Sequence, residues 1–259
     1  MSEYPMHLVD THFHLDLCKD SAAVLSECER LGVYTIAVTN APSVFFHTMQ
    51  LCRGHSLMHP AVGLHPELVI SHEAELEGMW LSLEGTRYVG EIGLDYVTTD
   101  KDVRHKQRYV FERILERCAA HGDKVLSVHS RRASADAIAM IGNRFPGTVI
   151  LHWFSGPLKD LRKAAESGMY FSVNPAMIRS RTAQRLVADM PRDRVLTETD
   201  GPFVTVGSRP AMPGDVAGVV DWIAGMWKLS VDEARQVIMD NLVRAAGSCC
   251  EGSCDGEGT

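Results

Sequence analysis

No run of apolar residues in this chain is long enough to cross a bilayer, which argues against a helical membrane protein and leaves no membrane partner. A glycine-rich phosphate loop of the GxGxxG or GxxxxGKS type is also missing, so neither a dinucleotide fold nor P-loop chemistry is indicated. Positive charge is scarce: 26 Lys and Arg face 33 Asp and Glu, a net charge of -7. That balance argues against coating long nucleic acid by electrostatics alone. It still allows a small acidic site that turns positive once divalent cations load. Cysteines are few and odd in number, at Cys18, Cys28, Cys52, Cys118, Cys249, Cys250 and Cys254. A disulfide framework is therefore not expected, and a reducing compartment is. The opening "MSEYPMHLVDTH" lacks a basic region followed by an apolar core, so the expectation is a cytoplasmic chain without a secretory signal.

What is present is ordinary for a globular protein: 45% hydrophobic and 23% charged residues over 259 positions. Residues 1–247 are expected to form one α/β domain, and the Gly-, Cys- and acid-rich 248–259 a disordered tail. The tail's CCxxxC spacing has no fourth metal ligand nearby. Along the body, short runs rich in Val, Ile, Thr and Tyr alternate with stretches of helical periodicity. Eight strands are expected: "HLVDTHFH", "YTIAVTNA", "HPAVGLHP", "RYVGEIGLDY", "KVLSVHSR", "TVILHWFSG", "MYFSVNPAM" and "RVLTETDGP". Helices are expected near 20–31, 43–53, 73–84, 102–121, 133–145, 157–167 and 180–190, with two more near 215–227 and 231–246. The helix at 102–121 carries an apolar stripe of Val103, Tyr109, Val110, Ile114, Leu115 and Cys118, and Gly122 stands at its end. Ser230 with Glu233 reads as a capping box. Eight βα units in this length point to a closed parallel (β/α)8 barrel, with a doubly wound open sheet as the alternative.

In such a barrel the reactive groups stand at the C-terminal ends of the strands. Strand one ends in His12 and His14, strand three in His65, strand four in Glu91, strand five in His129, strand six in His152 and strand eight in Asp200. Each alone has a plain alternative. A strand-end histidine can pair with a backbone carbonyl, and a strand-end acid can cap the next helix. Landing together at strand ends, these imidazoles and carboxylates point to a metal site. One tetrahedral ion cannot use them all, so a pair of ions fits better. His12, His14 and Asp200 suit one, His129 and His152 the other, and Glu91 on the strand between bridges them. Nitrogen and carboxylate donors without thiolate allow zinc, manganese, iron or magnesium.

The segments "DTHFHLD", "AVGLHPE", "GEIGLDY", "VHSR", "LHWFSG" and "TETDGPF" resemble the TatD-like metal-dependent nucleases, a branch of the amidohydrolase-type barrels. The closing "DNLVRAAG" is similar to that family's Asn-x-x-Arg segment, at Asn241 and Arg244. The resemblance covers roughly residues 8 to 247. It implies a TIM barrel, two divalent cations and hydrolysis of DNA phosphodiesters, often from an end. It carries over His12, His14, Glu91, His129, His152 and Asp200 as metal ligands, and His65 as the residue that contacts or polarises the scissile phosphate. Two segments depart from the family pattern. "YFSVNPAMIRSR" lacks the expected glycines, and "YVTTDKD" is a short link. Both border the substrate. A narrower likeness, to the TatD-like subunit of Qat anti-phage systems, would add other defence subunits as partners.

On this reading Asp200 orients or deprotonates the attacking water, Glu91 bridges the cations, and the cations with His65 offset charge on the phosphate. Arg131 is the candidate phosphate clamp, with a surface salt bridge as its alternative. Asp10 and Asp95 flank ligands and are candidates for holding histidines, or, for Asp10, for structural pairing. Trp153, Phe154 and Phe203 are candidates for stacking on a base or for packing. Arg179 and Arg181 could meet a nucleic-acid backbone or simply begin a solvated helix. His47, His55, His59, His72, His105 and His121 fall outside the site. Two rival functions are a small-molecule amidohydrolase or lactonase and a metal-stabilised interaction subunit. Many of the former bridge their metals with a modified lysine on strand four, where this chain offers only Glu91.

Overall fold

The computed structural model describes residues 6–247; Cys249, Cys250, Cys254 and the rest of the expected tail lie outside the described residues. Strands and helices alternate through eight units. They run β1 (Leu8–Phe13), α1 (Ser21–Leu31), β2 (Val33–Ala37), α2 (Pro42–Cys52), β3 (Met58–Val62), α3 (Val69–His72), α4 (Leu76–Leu83) and β4 (Tyr88–Gly93). Then follow α5 (Lys101–His121), β5 (Val125–His129), α6 (Ser134–Ile141), β6 (Thr148–Leu151), α7 (Leu158–Glu166) and β7 (Tyr170–Val173). The chain continues through α8 (Arg181–Ala188), β8 (Val195–Thr197), α9 (Val216–Trp227) and α10 (Val231–Ala246).

All eight strands are parallel and lie in chain order, β1 beside β2 through to β7 beside β8. The seam between β8 and β1 is held largely by side chains in place of a regular ladder. Thr197 Oγ1 donates to Val9 O, Thr11 Oγ1 donates to Thr197 O at 3.1 Å, and Asp200 N donates to His12 O at 2.9 Å. The buried Asp10 carboxylate accepts from Thr199 N at 2.9 Å and from Thr199 Oγ1. Eight strands thus nearly close into the expected (β/α)8 barrel, and Asp10 is one of its fastenings. Asp10 also accepts from His12 N at 3.2 Å, so it pairs structurally and braces the backbone of a histidine, the two roles expected of it.

Local chemistry explains the elements. Asp20 caps α1 through Ala23 N, and Asp100 caps α5 through Asp102 N and Val103 N; such caps are worth about 1 kcal/mol each. Ser230 and Glu233 form the capping box of α10. Gly122 ends α5 at φ +78°, a left-handed turn that glycine adopts without a Cβ clash. Val24, Leu25 and Cys28 of α1 bury against Phe13, Val33 and Ala37, the stripe a helix lays on a strand pair.

Three expectations need correction. The helix expected at 73–84 is present but starts as a 3-10 turn at Glu73–Glu75 before α4, and the 3-10 turn at Pro66–Leu68 and α3, which lie ahead of it, were not expected. On α5, Tyr109 is exposed with its hydroxyl accepting from Arg113, and Phe111 takes its place in the core. The helix expected to reach 145 stops at Ile141, where Gly142 caps it. A small antiparallel hairpin, Thr205–Val206 with Arg209–Pro210, follows β8 unannounced.

Candidate metal centre

Two irregularities in the ladders set up the site. Pairing of β1 with β2 slips between Asp10 and Phe13, and pairing of β4 with β5 slips between Val89 and Ile92. Such slips re-aim side chains beside active sites. His12 stands in the first and Glu91 in the second. The backbone around Glu91 leaves no room for bulk. A Cβ on Gly63 would lie 2.3 Å from Glu91 N, and one on Gly93 would lie 2.1 Å from His129 O.

The strand ends bring the expected residues together. His12 Nε2 and His14 Nε2 are 3.3 Å apart. Glu91 Oε2 lies 3.5 Å from the first and 3.6 Å from the second. Asp200 Oδ1 lies 3.7 Å and 3.5 Å from the same two nitrogens. Those separations are close to the edge of a tetrahedron of donors around an ion with bonds of about 2.0–2.2 Å, an edge of about 3.3–3.6 Å. His12 Nδ1 pairs with Ser127 Oγ at 2.7 Å, which keeps its Nε2 aimed at this centre. His14 Nδ1 is buried without a hydrogen-bond partner. Asp200 sits at φ +52°, a left-handed backbone that holds its carboxylate at the rim.

The other carboxylate oxygen of Glu91 faces a second set. Oε1 lies 2.7 Å from His129 Nδ1, 2.9 Å from His152 Nε2 and 3.4 Å from His65 Nε2. His129 Nδ1 and His152 Nε2 are 3.4 Å apart. Asp95 Oδ2 holds the far nitrogen of His129 at 2.8 Å, so the expected partnership of Asp95 with a histidine is present. The donor set, nitrogen and oxygen without sulfur, fits divalent cations. Three triads in it could hold one: His12, His14 and Asp200; His12, Glu91 and His152; His65, Glu91 and His129.

Charge follows the geometry. Burial alone would push Glu91 up, but the imidazoles of His65, His152 and His12 hold it well below the usual carboxylate range. Burial lowers His12 to about 4, helped by neighbouring His152. Burial would also lower His152, but Glu198 and Glu91 outweigh it and raise this imidazole well above its ordinary value. His129 is raised in the same way, by Asp95 and Glu91 against burial.

Glu198 is the residue that sequence reasoning missed. It is fully buried, its Oε1 lies 3.5 Å from His152 Nδ1, and it accepts from Trp153 N and Asn174 Nδ2 at 3.0 Å each and from Ser172. The signal was available: Glu198 lies two residues before Asp200 at the end of a strand, hence toward the same face.

Among the weaker candidates, Arg131 is exposed on the wall of a cleft of about 590 Å³ that opens onto Glu91, His129, His152 and Asp200. It has no ion pair among the described residues. Phe154 is core, packed edge-on to Phe171 at 5.6 Å. Phe203 is exposed, with its edge on His14 at 4.9 Å. Arg179 is committed to Thr205 O at 2.8 Å, and Arg181 is free at the surface. The histidines placed outside the site stay outside; His55, for one, pairs with Glu29 at 2.6 Å.

The family described as TatD related DNase matches residues 9–247. Human deoxyribonuclease TATDN3 is 27% identical, with 92% of this chain and 93% of that protein covered. The Escherichia coli K12 metal-dependent hydrolase YjjV, itself uncharacterized, is 28% identical, with 90% and 95% covered. The crystal structure of YjjV superposes with a TM-score of 0.84 at 24% identity, covering 93% of this chain and 98% of that one. The matching family and the donor cluster make this a metal-dependent hydrolase of the amidohydrolase-type barrels. No helix among the described residues is long and apolar enough to cross a membrane.

Proposed function

This chain belongs to the TatD-related DNase family, and from that premise we propose that it is a two-cation phosphodiesterase that shortens DNA from an end. The observation that carries the reading is the division of Glu91: one oxygen faces His12 and His14, the other faces His129 and His152. The related deoxyribonuclease supports the substrate class. Divalent cations held there would lower the pKa of a water and offset charge on the phosphate oxygens.

The chain's own groups do the rest. The water oxygen bonds to phosphorus as the bond to the leaving nucleoside oxygen breaks, giving a phosphomonoester and an alcohol. Asp200, at the cleft, takes the proton of that water. His65 has a defined tautomer. Its Nδ1 accepts from Glu67 N at 3.2 Å, so its proton stands on Nε2, which points toward Glu91 and the cleft. A histidine that donates from Nε2 suits a non-bridging phosphate oxygen, the role we give His65 in preference to a share in the triad with Glu91 and His129. Arg131 on the cleft wall can grip a phosphate at two nitrogens. The small-molecule alternative is disfavoured because β4 has no lysine. Lys124, just before the neighbouring β5, is committed elsewhere, donating to Leu83 O and Thr86 O at 2.8 and 3.0 Å. Free Cys18, Cys28, Cys52 and Cys118 suit a cytoplasmic setting. The defence-system setting, with its partner subunits, rests on the departing segments 96–102 and 170–181 alone.

The test is metal content of the purified chain together with cleavage of end-labelled single-stranded oligonucleotides in manganese or magnesium. Two cations per chain and stepwise shortening are expected. One cation per chain, or intact oligonucleotides across several metals, would overturn the proposal.

A further inference from the structure

The turn after β6 places an aromatic residue where packing alone would not. Trp153 is 37% exposed although its neighbours His152 and Phe154 are buried. Its backbone is left-handed, at φ +39°. For a bulky residue that conformation costs on the order of 1–3 kcal/mol and persists only where the surroundings enforce it. Here they do: Trp153 N donates to Glu198 Oε1 at 3.0 Å, and Glu198 is locked by Asn174 and Ser172. The carboxylate beside the His152 ring therefore also holds the indole out over the rim.

That indole is a dividing wall. On one side is the catalytic cleft; on the other is a groove of about 700 Å³ between α7 and α8, and Trp153 and Ser155 line both. The groove is apolar along Leu158, Met177, Ala183 and Leu186, with exposed Arg185 at its edge. Charge favours one kind of occupant. Residues 153–189 contain six basic residues (Lys159, Arg162, Lys163, Arg179, Arg181, Arg185) and three acidic ones (Asp160, Glu166, Asp189), in a chain whose net charge is -7. Asp160 is buried and accepts from Ser134 at 2.7 Å, so it adds little to the surface. Asp189 also lines the groove, so the positive excess lies in the surrounding segment and Arg185 is the one cation on the lining. An aromatic platform, an apolar slot and an arginine at its edge suit a base and its phosphate.

We propose that the groove between α7 and α8 is a second nucleotide subsite, with the next base of the substrate strand stacked on Trp153 and its phosphate near Arg185. The inference rests on the phosphodiesterase reading of the neighbouring cleft.

The test uses the full chain loaded with manganese and two substrates: the p-nitrophenyl ester of thymidine 5′-phosphate, which has one nucleoside, and an end-labelled hexadeoxynucleotide. The quantity read is the ratio of kcat/KM for the second over the first. Trp153→Ala and Ala183→Trp should each lower that ratio about tenfold, mainly through KM, as loss of one stacked base does. Trp153→Phe should restore most of it. Arg185→Glu, an exposed change that keeps the fold, should lower it about threefold and flatten its dependence on salt. Binding of a fluorescent hexanucleotide, followed by anisotropy, supplies a readout without turnover. Weaker binding in Trp153→Ala supports the subsite even if the wild type hydrolyses neither substrate, an outcome that would instead overturn the phosphodiesterase reading. Equal losses on both substrates, or binding indifferent to Trp153 and Arg185, overturn the subsite. So would capture of a folded protein on this face with no effect of strand length.

Discussion

The two ends of the barrel use the same residue types in opposite ways. At the C-terminal rim, His12, His14, Glu91 and Asp200 turn their nitrogens and oxygens toward one another and toward an open cleft. At the N-terminal floor, most of the named polar groups are spent on the protein itself. Tyr34 and Tyr88 pair hydroxyl to hydroxyl, and the His59 ring stacks on Tyr34 at 4.2 Å although its Nε2 is buried without a hydrogen-bond partner. Lys124 is buried with its ammonium on two backbone carbonyls. Asn241 of α10 donates to Arg192 O and Val195 O at 2.8 and 2.7 Å. Buried polar groups satisfied internally hold a fold, whereas converging donors left facing each other need a cation. Position along the strand, more than residue identity, separates chemistry from architecture in this chain.

The contrast predicts separable losses. The largest is at the rim: Glu91→Ala should cut phosphodiester cleavage at least about a thousandfold and reduce bound metal, because it removes a donor from both sets. Metal analysis and kinetics on one preparation check both effects. Retained cleavage would dissolve the distinction between the ends.

The next largest effect lies at the floor and depends on pH. Burial lowers His59 to about 4 from 6.5. Between those values the unfolded chain binds a proton that the folded chain does not. The stability at stake is therefore fully present above pH 6.5 and is lost as pH falls toward 4, on the order of 3 kcal/mol at most. Histidine-to-phenylalanine replacement at 59 should flatten that acid limb in urea unfolding. Curves of unchanged slope would refute the assignment.

Lys124→Met should come third. It strips the donors from Leu83 O and Thr86 O and should cost about 2 kcal/mol, read from the urea midpoint, while activity per bound cation stays the same. The smallest effect returns to the rim. Asp95→Asn weakens the grip on the far nitrogen of His129 and should lower metal affinity about tenfold in chelator competition, with stability little changed.

Much of this architecture is legible locally. The eight strands and most helices follow from periodicity because each βα unit buries its own stripe, as α1 does with Val24, Leu25 and Cys28. The short helix α3, with the 3-10 turn before it, was not legible, because four residues are too few to show a helical period. Tyr109 was misjudged for a similar reason: the stripe of α5 is wide enough to admit either it or Phe111, and only the packed neighbours choose. Glu198 escaped notice because a carboxylate beside Asp200 looks redundant until Trp153 N, Asn174 and His152 are seen to surround it.

Alone, then, the order of residues determined that eight parallel strands would form and that six of them would end in an imidazole or a carboxylate, because strand, turn and helix signals act over only a few neighbours. Which oxygen of Glu91 meets which imidazole, which nitrogen of His65 carries its proton, and that Trp153 stands clear of the core were decided only in three dimensions. Those outcomes depend on hydrogen bonds and register slips between segments tens of residues apart, and no local pattern encodes a distance that the closing of the barrel creates.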